Sequence, residues 1–334
     1  MNSPSYSHMC PACLNDTTHI LWKDSFGSKE YYFIECSSCK LHFVRPIPDA
    51  QALSLLYDSD YPCYQALTNE IEQKYPPLKA QIARWRFARM QGSFFKFLLK
   101  KFLSVCVEIA LGRYVSFPLG VPLSLPCDAK IIDVGCGSGL WLIFMKQQGY
   151  TNLMGVDIGG PAKKRLEPLG IPVAVGALPE LGLPEASFDL IRMEHVPNPA
   201  EYLNEIARLL KPNGCLVIVV PAIESLSYKV SRRNWAHLDF PRHLYHYSLK
   251  SLRFLGSRSG LVVRRYRYLP VWPVMAASVA CLIEHCFGRN VQCFRSRIAS
   301  IILSPLWAIF MSIFQTGDVL TVEFVRQAAI KGDK

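Results

Sequence analysis

The sequence has no low-complexity tract, no internal repeat and no apolar segment near its start. Residues 1–28 are polar and lack the hydrophobic stretch of a secretory signal, so we expect the chain to begin in the cytosol. Hydrophobic residues make up 50% of the 334 positions, which is enough for a full core and leaves room for a second module. The composition therefore favours a globular protein with more than one structural unit.

Acidic residues are also scarce. The chain has 37 Lys and Arg residues against 26 Asp and Glu residues, which gives a formal net charge of +11. Between residues 229 and 267 there are ten basic residues and one acid, Asp239. A region of this charge favours an anionic partner, which is a phosphorylated substrate, a lipid surface or a nucleic acid.

The 12 cysteines include two C-x-x-C pairs. Cys10 and Cys13 form the first pair, Cys36 and Cys39 form the second, and 22 residues separate the pairs. Disulfides are not expected in a cytosolic chain, whereas four thiolates at this spacing suit one tetrahedral zinc ion. Four buried thiols or a redox pair are the alternatives. The spacing predicts a structural zinc-ribbon-like module over residues 1–47.

Residues 48–125 are predicted to form a mainly helical connector. Within it, the part 94–111 is apolar and carries a cluster of three lysines, as a basic amphipathic helix does. Such a helix lies on a membrane surface, or it caps a neighbouring domain with its lysines in water, and the sequence leaves both readings open. Prolines at 118, 122 and 126 mark the linker to the next domain.

From residue 126 to about residue 330, short apolar segments alternate with helical patterns. This order is typical of an α/β protein with a doubly wound, Rossmann-like sheet, here of seven strands. Strands are predicted at 131–135, 153–158, 172–176, 188–194, 215–221, 261–268 and 319–325, and helices at 139–148, 160–169, 199–211 and 248–259.

A glycine-rich turn follows the first of these strands. The strand runs through Asp133, and glycines stand at positions 135, 137 and 139 before an apolar helix. Glycine permits positive φ and lets a ligand approach the backbone, so the turn predicts a nucleotide-type cofactor pocket. Asp157 ends the next strand, where a carboxylate can accept both hydroxyl protons of a ribose. No lysine follows the glycines, which excludes a P-loop, and Leu140 leaves the dinucleotide-binding pattern incomplete.

Further motifs accompany this turn. They are Gly155–Asp157, Ser187–Asp189 followed by Glu194 and His195, and a turn at 210–214. Together with Asp133–Gly139 they resemble the class I S-adenosylmethionine-dependent methyltransferases, and the cysteines point to the bacterial subgroup with an N-terminal four-cysteine, zinc-ribbon-like module. The resemblance implies S-adenosylmethionine as the cofactor, with a binding set of Asp133, Gly135, Gly137, Gly139, Asp157, Gly176, Ala177 and Glu194.

Two histidines are candidate catalytic residues. Methyl transfer needs an aligned acceptor and a group that takes up its proton. His195 follows the fourth strand of the sheet, and imidazole is suited to general-base chemistry at neutral pH. The alternative is that His195 only packs against the cofactor or hydrogen-bonds to it. His243 is the second candidate.

His243 belongs to a polar cluster at residues 235–248, where class I enzymes often build their acceptor pocket. The cluster resembles a Trp-x-x-Leu-Asp-x-Pro-Arg-His-Leu segment of a bacterial subgroup that accompanies sugar, lipid and cell-surface glycan pathways. Either its arginines clamp a diphosphate, or the segment is a structural cap with a salt bridge between Asp239 and Arg242. The predicted substrate-binding residues are Arg232, Arg233, His237, Asp239 and Arg242.

A hydrophobic helical insertion is predicted at 271–316, between the last two strands. It contains the apolar runs 271–283 and 298–314 around a polar bend. We expect a monotopic hairpin that docks on the inner face of a membrane, while a homodimer interface or a lid over the acceptor are the alternatives.

The sequence therefore predicts a methyltransferase that acts on a sugar, glycan or lipid-linked intermediate at a membrane surface. A quinone or other small lipophilic acceptor is an alternative. A zinc-ribbon nucleic-acid-binding protein with a degenerate methyltransferase fold is the alternative of another class, although no recognised base-reading pattern is present.

Overall fold

The computed structural model describes residues 9–26, 29–48, 125–159, 161–194, 199–240, 243–269 and 316–327, together with positions 274, 275, 277, 278 and 281. The predicted connector, apart from its end residues, and most of the predicted insertion lie outside the described residues. His195 and Arg242 also lie outside them.

The cysteine-containing segment folds as an antiparallel sheet. Strands β1 (Thr18–Phe26), β2 (Lys29–Cys36) and β3 (His42–Arg45) pair in that order. Alternate side chains of β2 face inward, and Tyr31 and Phe33 are completely buried.

A second sheet contains five adjacent parallel strands that extend to one of its edges. They are β4 (Lys130–Val134), β5 (Asn152–Asp157), β6 (Val173–Val175), β7 (Phe188–Glu194) and β8 (Leu210–Pro221). The pairing of β8 with β7 jumps from Leu210 to Cys215, so the predicted turn at 210–214 is an irregularity at the start of this strand.

Three strands complete the two sheets. The two-residue strand β9 (Tyr245–His246) pairs with β3, while β10 (Leu261–Leu269) and β11 (Val319–Arg326) join the larger sheet. The larger sheet has seven strands in the order β10-β11-β8-β7-β4-β5-β6, and β11 runs antiparallel to both its neighbours. The predicted seven-stranded sheet is thus confirmed.

The helices cover this sheet and connect its strands. They are α1 (Leu140–Gln147), α2 (Pro161–Leu166), α3 (Pro199–Leu209), α4 (Leu226–Ser231) and α5 (Leu249–Arg258). Helix α5 begins with a capping box in which Ser248 and Ser251 each satisfy the other's backbone N–H. The short helix α4 was not predicted from the sequence. No helix of the described residues is both long and apolar enough to cross a bilayer.

One hydrophobic core joins the cysteine module to the larger sheet. Because side chains alternate along a strand, Ile132 of β4 faces this core while Ile131 faces a second core under α1. Phe33 and Phe43 of the module belong to the same core as Ile132. The module is therefore packed against the α/β domain, and β9 of that domain is the fourth strand of the module's sheet.

Candidate active site and cysteine cluster

The glycine turn lies where β4 meets α1. Gly135, Gly137 and Gly139 all have positive φ, at 75°, 51° and 78°. A Cβ placed on Gly137 would have no atom within 4 Å, whereas one on Gly139 would lie 2.7 Å from the side chain of Leu166 in α2. Gly137 therefore leaves open space above the turn, and Gly139 permits the close packing of α2.

Asp157, at the end of β5, is hydrogen-bonded to this turn. Its Oδ2 accepts from the backbone N–H of Gly137 over 2.8 Å, and its Oδ1 accepts from the N–H of Gly159 over 2.9 Å. An ionised carboxylate has about four lone-pair sites, so two acceptor positions remain for hydroxyl groups. The carboxylate is thus fixed in place and still able to bind a diol.

Apolar side chains are exposed beside Asp157. Ile158 follows it directly and is 72% exposed, and Val175 pairs with Asp157 across the sheet and is 47% exposed. Gly176, with φ at 141°, and Ala177 follow Val175. Ile158 is not among the residues predicted from the sequence, although an apolar residue directly after an acid at a strand end is a recognisable signal. Exposed apolar surface next to a carboxylate that is able to bind a diol suits a flat nucleoside base.

A buried ion network links β4 to β7. Arg192, which is 2% exposed, is paired in register with Asp133, which is 1% exposed. Its Nη1 lies 2.8 Å from Oδ1 of Asp133, and its Nη2 bonds to the carboxylate of Glu194. Burial raises the pKa of Asp133, and Arg192 opposes that rise. Arg192 is not among the residues predicted from the sequence, although a cation within an apolar strand indicates that it must be paired with an acidic partner.

The four predicted metal ligands converge. The sulfurs of Cys10 and Cys39 are 3.5 Å apart, those of Cys13 and Cys36 are 3.6 Å apart, and all four lie within 4.8 Å of one another. Four thiolates about 2.3 Å from one zinc ion are separated by about 3.8 Å, so the cluster fits tetrahedral coordination. Within the described parts of the chain, this is the one such group of His, Cys, Asp or Glu residues.

Helix α5 is bonded to both cysteine turns. At its start, Ser248 Oγ donates to the carbonyl oxygen of Cys39 over 2.7 Å. At its end, Arg258 Nη1 donates to the carbonyl oxygens of Pro11 and Ala12 over 3.3 and 3.2 Å. The conformation of the two cysteine turns is therefore coupled to that of α5 and of the segment before it.

Residues 235–240 and 243–248 form much of the joint between the module and the α/β domain. Trp235 and His246 are buried, and the His246 ring lies 5.4 Å from that of Phe33. His246 Nε2 donates to the carbonyl oxygen of Leu238 over 3.0 Å, and burial holds the pKa of His246 well below its usual value. These contacts support the structural-cap reading for this part of the segment.

Four of the five predicted substrate-binding residues, and His243, lie in the described part of the chain. His243 Nδ1 donates to the carbonyl oxygen of His237 over 3.0 Å, and Asp239 is a partly buried residue with a positive φ of 39°. Arg232 and Arg233 are exposed, and the Arg232 guanidinium lies 5.7 Å from the centre of the Tyr228 ring. Histidines 237, 243 and 246 do not form a metal site with each other.

Part of the basic region is neutralised within the fold. Arg264 and Arg265 both bond to the carboxylate of Glu323 on β11, and Arg258 is bonded to the cysteine module. In sequence Glu323 is distant from these residues, but β10 and β11 are paired with Arg265 opposite it. The anion-attracting surface is therefore smaller than the count of ten basic residues suggests.

A seven-stranded sheet of this strand order, with a glycine turn after β4 and an acid after β5, defines a class I methyltransferase fold. The family model described as "Methyltransferase domain" matches residues 83–266, which is more than half of the chain. The chain belongs to this family of methyltransferase domains.

Relatives are similar over about a quarter of the chain. A ubiquinone biosynthesis O-methyltransferase of Neisseria meningitidis is 32% identical over 26% of this chain and 42% of its own length. A 2-methyl-6-phytyl-1,4-hydroquinone methyltransferase of Synechocystis is 33% identical over 28% of this chain and 33% of its length. A tRNA carboxymethyltransferase of Idiomarina loihiensis is 31% identical over 28% of this chain and 33% of its own length. The chain thus spans less than half the length of each relative.

A solved structure is also similar. An S-adenosylmethionine dependent methyltransferase from Mesorhizobium loti matches 60% of this chain and 94% of its own, at 18% identity and a TM-score of 0.41.

Proposed function

We propose that S-adenosylmethionine binds along the carboxyl ends of β4, β5, β6 and β7. The cofactor supplies an electrophilic methyl group. The open space over Gly137 and the two remaining acceptor positions on Asp157 support this assignment. In this proposal Gly135, Gly137 and Gly139 hold the methionine end together with Asp133 and Glu194. Asp157 binds the ribose, and Gly176, Ala177 and Ile158 contact the adenine base of the cofactor.

We propose that the methyl acceptor is a lipophilic hydroxylated aromatic compound of the quinol class. The observation that carries this proposal is that two of the relatives are named for ubiquinone biosynthesis and for a phytyl hydroquinone. The apolar runs of the predicted insertion are long enough to cover an aliphatic tail. In this reading His195 or His243 takes up the proton of the phenol.

A lipid-linked sugar phosphate is the second candidate acceptor. The exposed pair Arg232 and Arg233 supports it, since guanidinium groups bind phosphate oxygens in pairs. His237, Asp239 and Arg242 complete the substrate-binding set in this proposal. A nucleic-acid acceptor is favoured only by the positive charge and by the tRNA-modifying relative.

Methyl labelling of a cell extract separates these acceptors. The purified chain is incubated with extract and methyl-labelled S-adenosylmethionine, and the quinone, lipid-linked glycan and RNA fractions are counted separately. The quinol proposal predicts label in the quinone fraction, and greater activity on a prenylated phenol than on the same phenol without its tail. Label confined to the glycan or the RNA fraction would contradict it.

We also propose that the ion held by Cys10, Cys13, Cys36 and Cys39 is zinc and that its role is structural. Four protein ligands leave no open coordination position, which supports a structural rather than a catalytic ion. The hydrogen bonds from α5 to both cysteine turns support a role in holding that helix.

Peripheral contact with a membrane surface is a further part of the proposal. The net charge of +11 and the apolar runs of the insertion support it. Flotation with vesicles that contain anionic lipid tests it. Binding that weakens with salt is expected, and a protein that stays in the unbound fraction at low salt would contradict it. Homodimer formation through the insertion is the competing outcome, and light scattering measures it in the same samples.

A further inference from the structure

Arg192 is a buried cation in the middle of the sheet, directly below the edge where the cofactor is proposed to bind. Burying a guanidinium is costly unless it is paired and its hydrogen bonds are satisfied. Here the planar group is shared between two carboxylates, Asp133 on the neighbouring strand and Glu194 on its own strand. The ring of Trp141 lies 4.7 Å from the guanidinium carbon and restricts its position further.

The three charged groups differ in their depth. The side chains of Asp133 and Arg192 are 1% and 3% exposed, whereas the side chain of Glu194 is 25% exposed. Arg192 and Glu194 are two residues apart on one strand, so their side chains lie on the same face of the sheet. Glu194 is therefore the member of the network that reaches the surface at the carboxyl end of β7.

The network carries one positive and two negative charges when all three groups are ionised. Arg192 bonds to both carboxylates, but only that of Glu194 is partly exposed, so the surplus negative charge reaches the surface at Glu194. A ligand at this edge is attracted if its nearest part is cationic. The sulfonium of S-adenosylmethionine is such a group, and the demethylated product S-adenosylhomocysteine lacks that charge.

We propose that Arg192 is a positioning residue that fixes the Glu194 carboxylate toward the sulfonium end of the cofactor, so that the site distinguishes the charged cofactor from its neutral product. This inference rests on the cofactor site proposed above. It assigns to Arg192 a role in the selectivity of that site, beyond its role as a buried ion-pair partner.

The test compares the dissociation constants of S-adenosylmethionine and S-adenosylhomocysteine by calorimetry in four proteins. These are the wild type, Glu194→Gln, Arg192→Lys and the control Arg264→Lys. Glu194→Gln removes the charge and keeps the shape. Arg192→Lys keeps the charge, but an ammonium group lacks the planar fork that bonds to two carboxylates at once. Arg264→Lys alters a similar pair with Glu323, outside the proposed site.

We expect the ratio of the cofactor constant to the product constant to rise about tenfold in Glu194→Gln and roughly threefold in Arg192→Lys. The ratio should stay at the wild-type value in Arg264→Lys. Thermal melting in the same samples confirms that each variant is folded. A purely structural ion pair predicts a lower melting temperature in Arg192→Lys with an unchanged ratio, and that result would overturn the inference.

The outcome for the wild type separates this inference from the proposal it rests on. If the wild type binds neither compound, the proposed cofactor site is wrong and the inference fails with it. If the wild type binds both compounds and the ratio is unchanged in Glu194→Gln and Arg192→Lys, the cofactor site stands and the inference alone is wrong.

Discussion

The backbone N–H of Gly137 donates a hydrogen bond to Oδ2 of Asp157 over 2.8 Å. This bond ties the turn after β4 to the end of β5, so the two parts of the proposed cofactor site are held as one unit. The Asp157 carboxylate also accepts from Gly159, which fixes the direction of its remaining lone pairs. The arrangement is preorganised, because the protein alone satisfies the bonds that orient the carboxylate.

Replacing Asp157 by Asn should weaken cofactor binding. An amide has one acceptor oxygen, so it cannot accept from Gly137 and Gly159 and also bind two ribose hydroxyls. We expect the dissociation constant of S-adenosylmethionine to rise about 10- to 100-fold, measured by calorimetry. The matched control is Asp128→Asn, on the exposed turn before β4. Equal affinities in the two variants would rule out the ribose role.

Two glycines of the turn should respond differently to alanine. Both substitutions place a side chain at positive φ, which costs roughly 1–2 kcal/mol. Gly139→Ala also drives a Cβ into Leu166, so its loss of unfolding free energy should be greater, about 2–4 kcal/mol in urea titrations. Gly137→Ala has no such clash and should chiefly weaken cofactor binding. A larger stability loss in Gly137→Ala than in Gly139→Ala would contradict this reading.

Removal of the metal should loosen α5 as well as the cysteine turns. Zinc contributes on the order of 10 kcal/mol to small zinc modules, and here both cysteine turns bond to α5. We expect one zinc per chain by elemental analysis, and faster amide exchange at 249–258 after chelation or in Cys39→Ser. Cys127→Ser, at an exposed cysteine outside the cluster, is the control. Unchanged exchange at 249–258 in the metal-free protein would disprove the coupling.

Acid should destabilise the joint between the module and the α/β domain. Burial lowers the pKa of His42 to about 4 and holds that of His246 well below its usual value. Above about pH 6.5 both residues are neutral in the folded and the unfolded chain, so neither has an effect. As the pH falls from about 6.5 toward 4, the unfolded chain binds protons that the folded chain excludes. Stability then drops by about 1.4 kcal/mol per pH unit for each histidine.

The variant His246→Gln isolates one of these two contributions. Glutamine can still donate to the carbonyl oxygen of Leu238, but it does not titrate. The slope of unfolding free energy against pH, between about pH 6 and pH 4.5, should therefore be shallower in the variant by about 1.4 kcal/mol per unit. Parallel slopes would show that His246 does not remain neutral in the folded protein.

Much of the α/β domain could be predicted from the sequence because its signals are local. The apolar runs of β4, β5 and β7 and the glycines that follow β4 are continuous in the chain, and the predicted strands agree with the structure to within one residue. The four cysteines were also identified correctly as one cluster, because their paired spacing is itself a geometric constraint.

The features that could not be predicted from the sequence depend on contacts between residues that are far apart in the chain. The pairing of β9 with β3 joins Tyr245 to Phe43, and a strand of two residues leaves no periodic pattern. The burial of Arg192 depends on its register opposite Asp133, which is set only when β4 and β7 align. The roles assigned to His195, Arg242 and residues 271–316 stay predictions.

A crystal structure of the chain with S-adenosylhomocysteine tests the central claim most directly. The account predicts that the ribose hydroxyls lie within hydrogen-bond distance of Asp157, with the homocysteine end over Gly137 and the base beside Ile158. A nucleoside bound elsewhere, or bound at this edge without contact to Asp157, would contradict it.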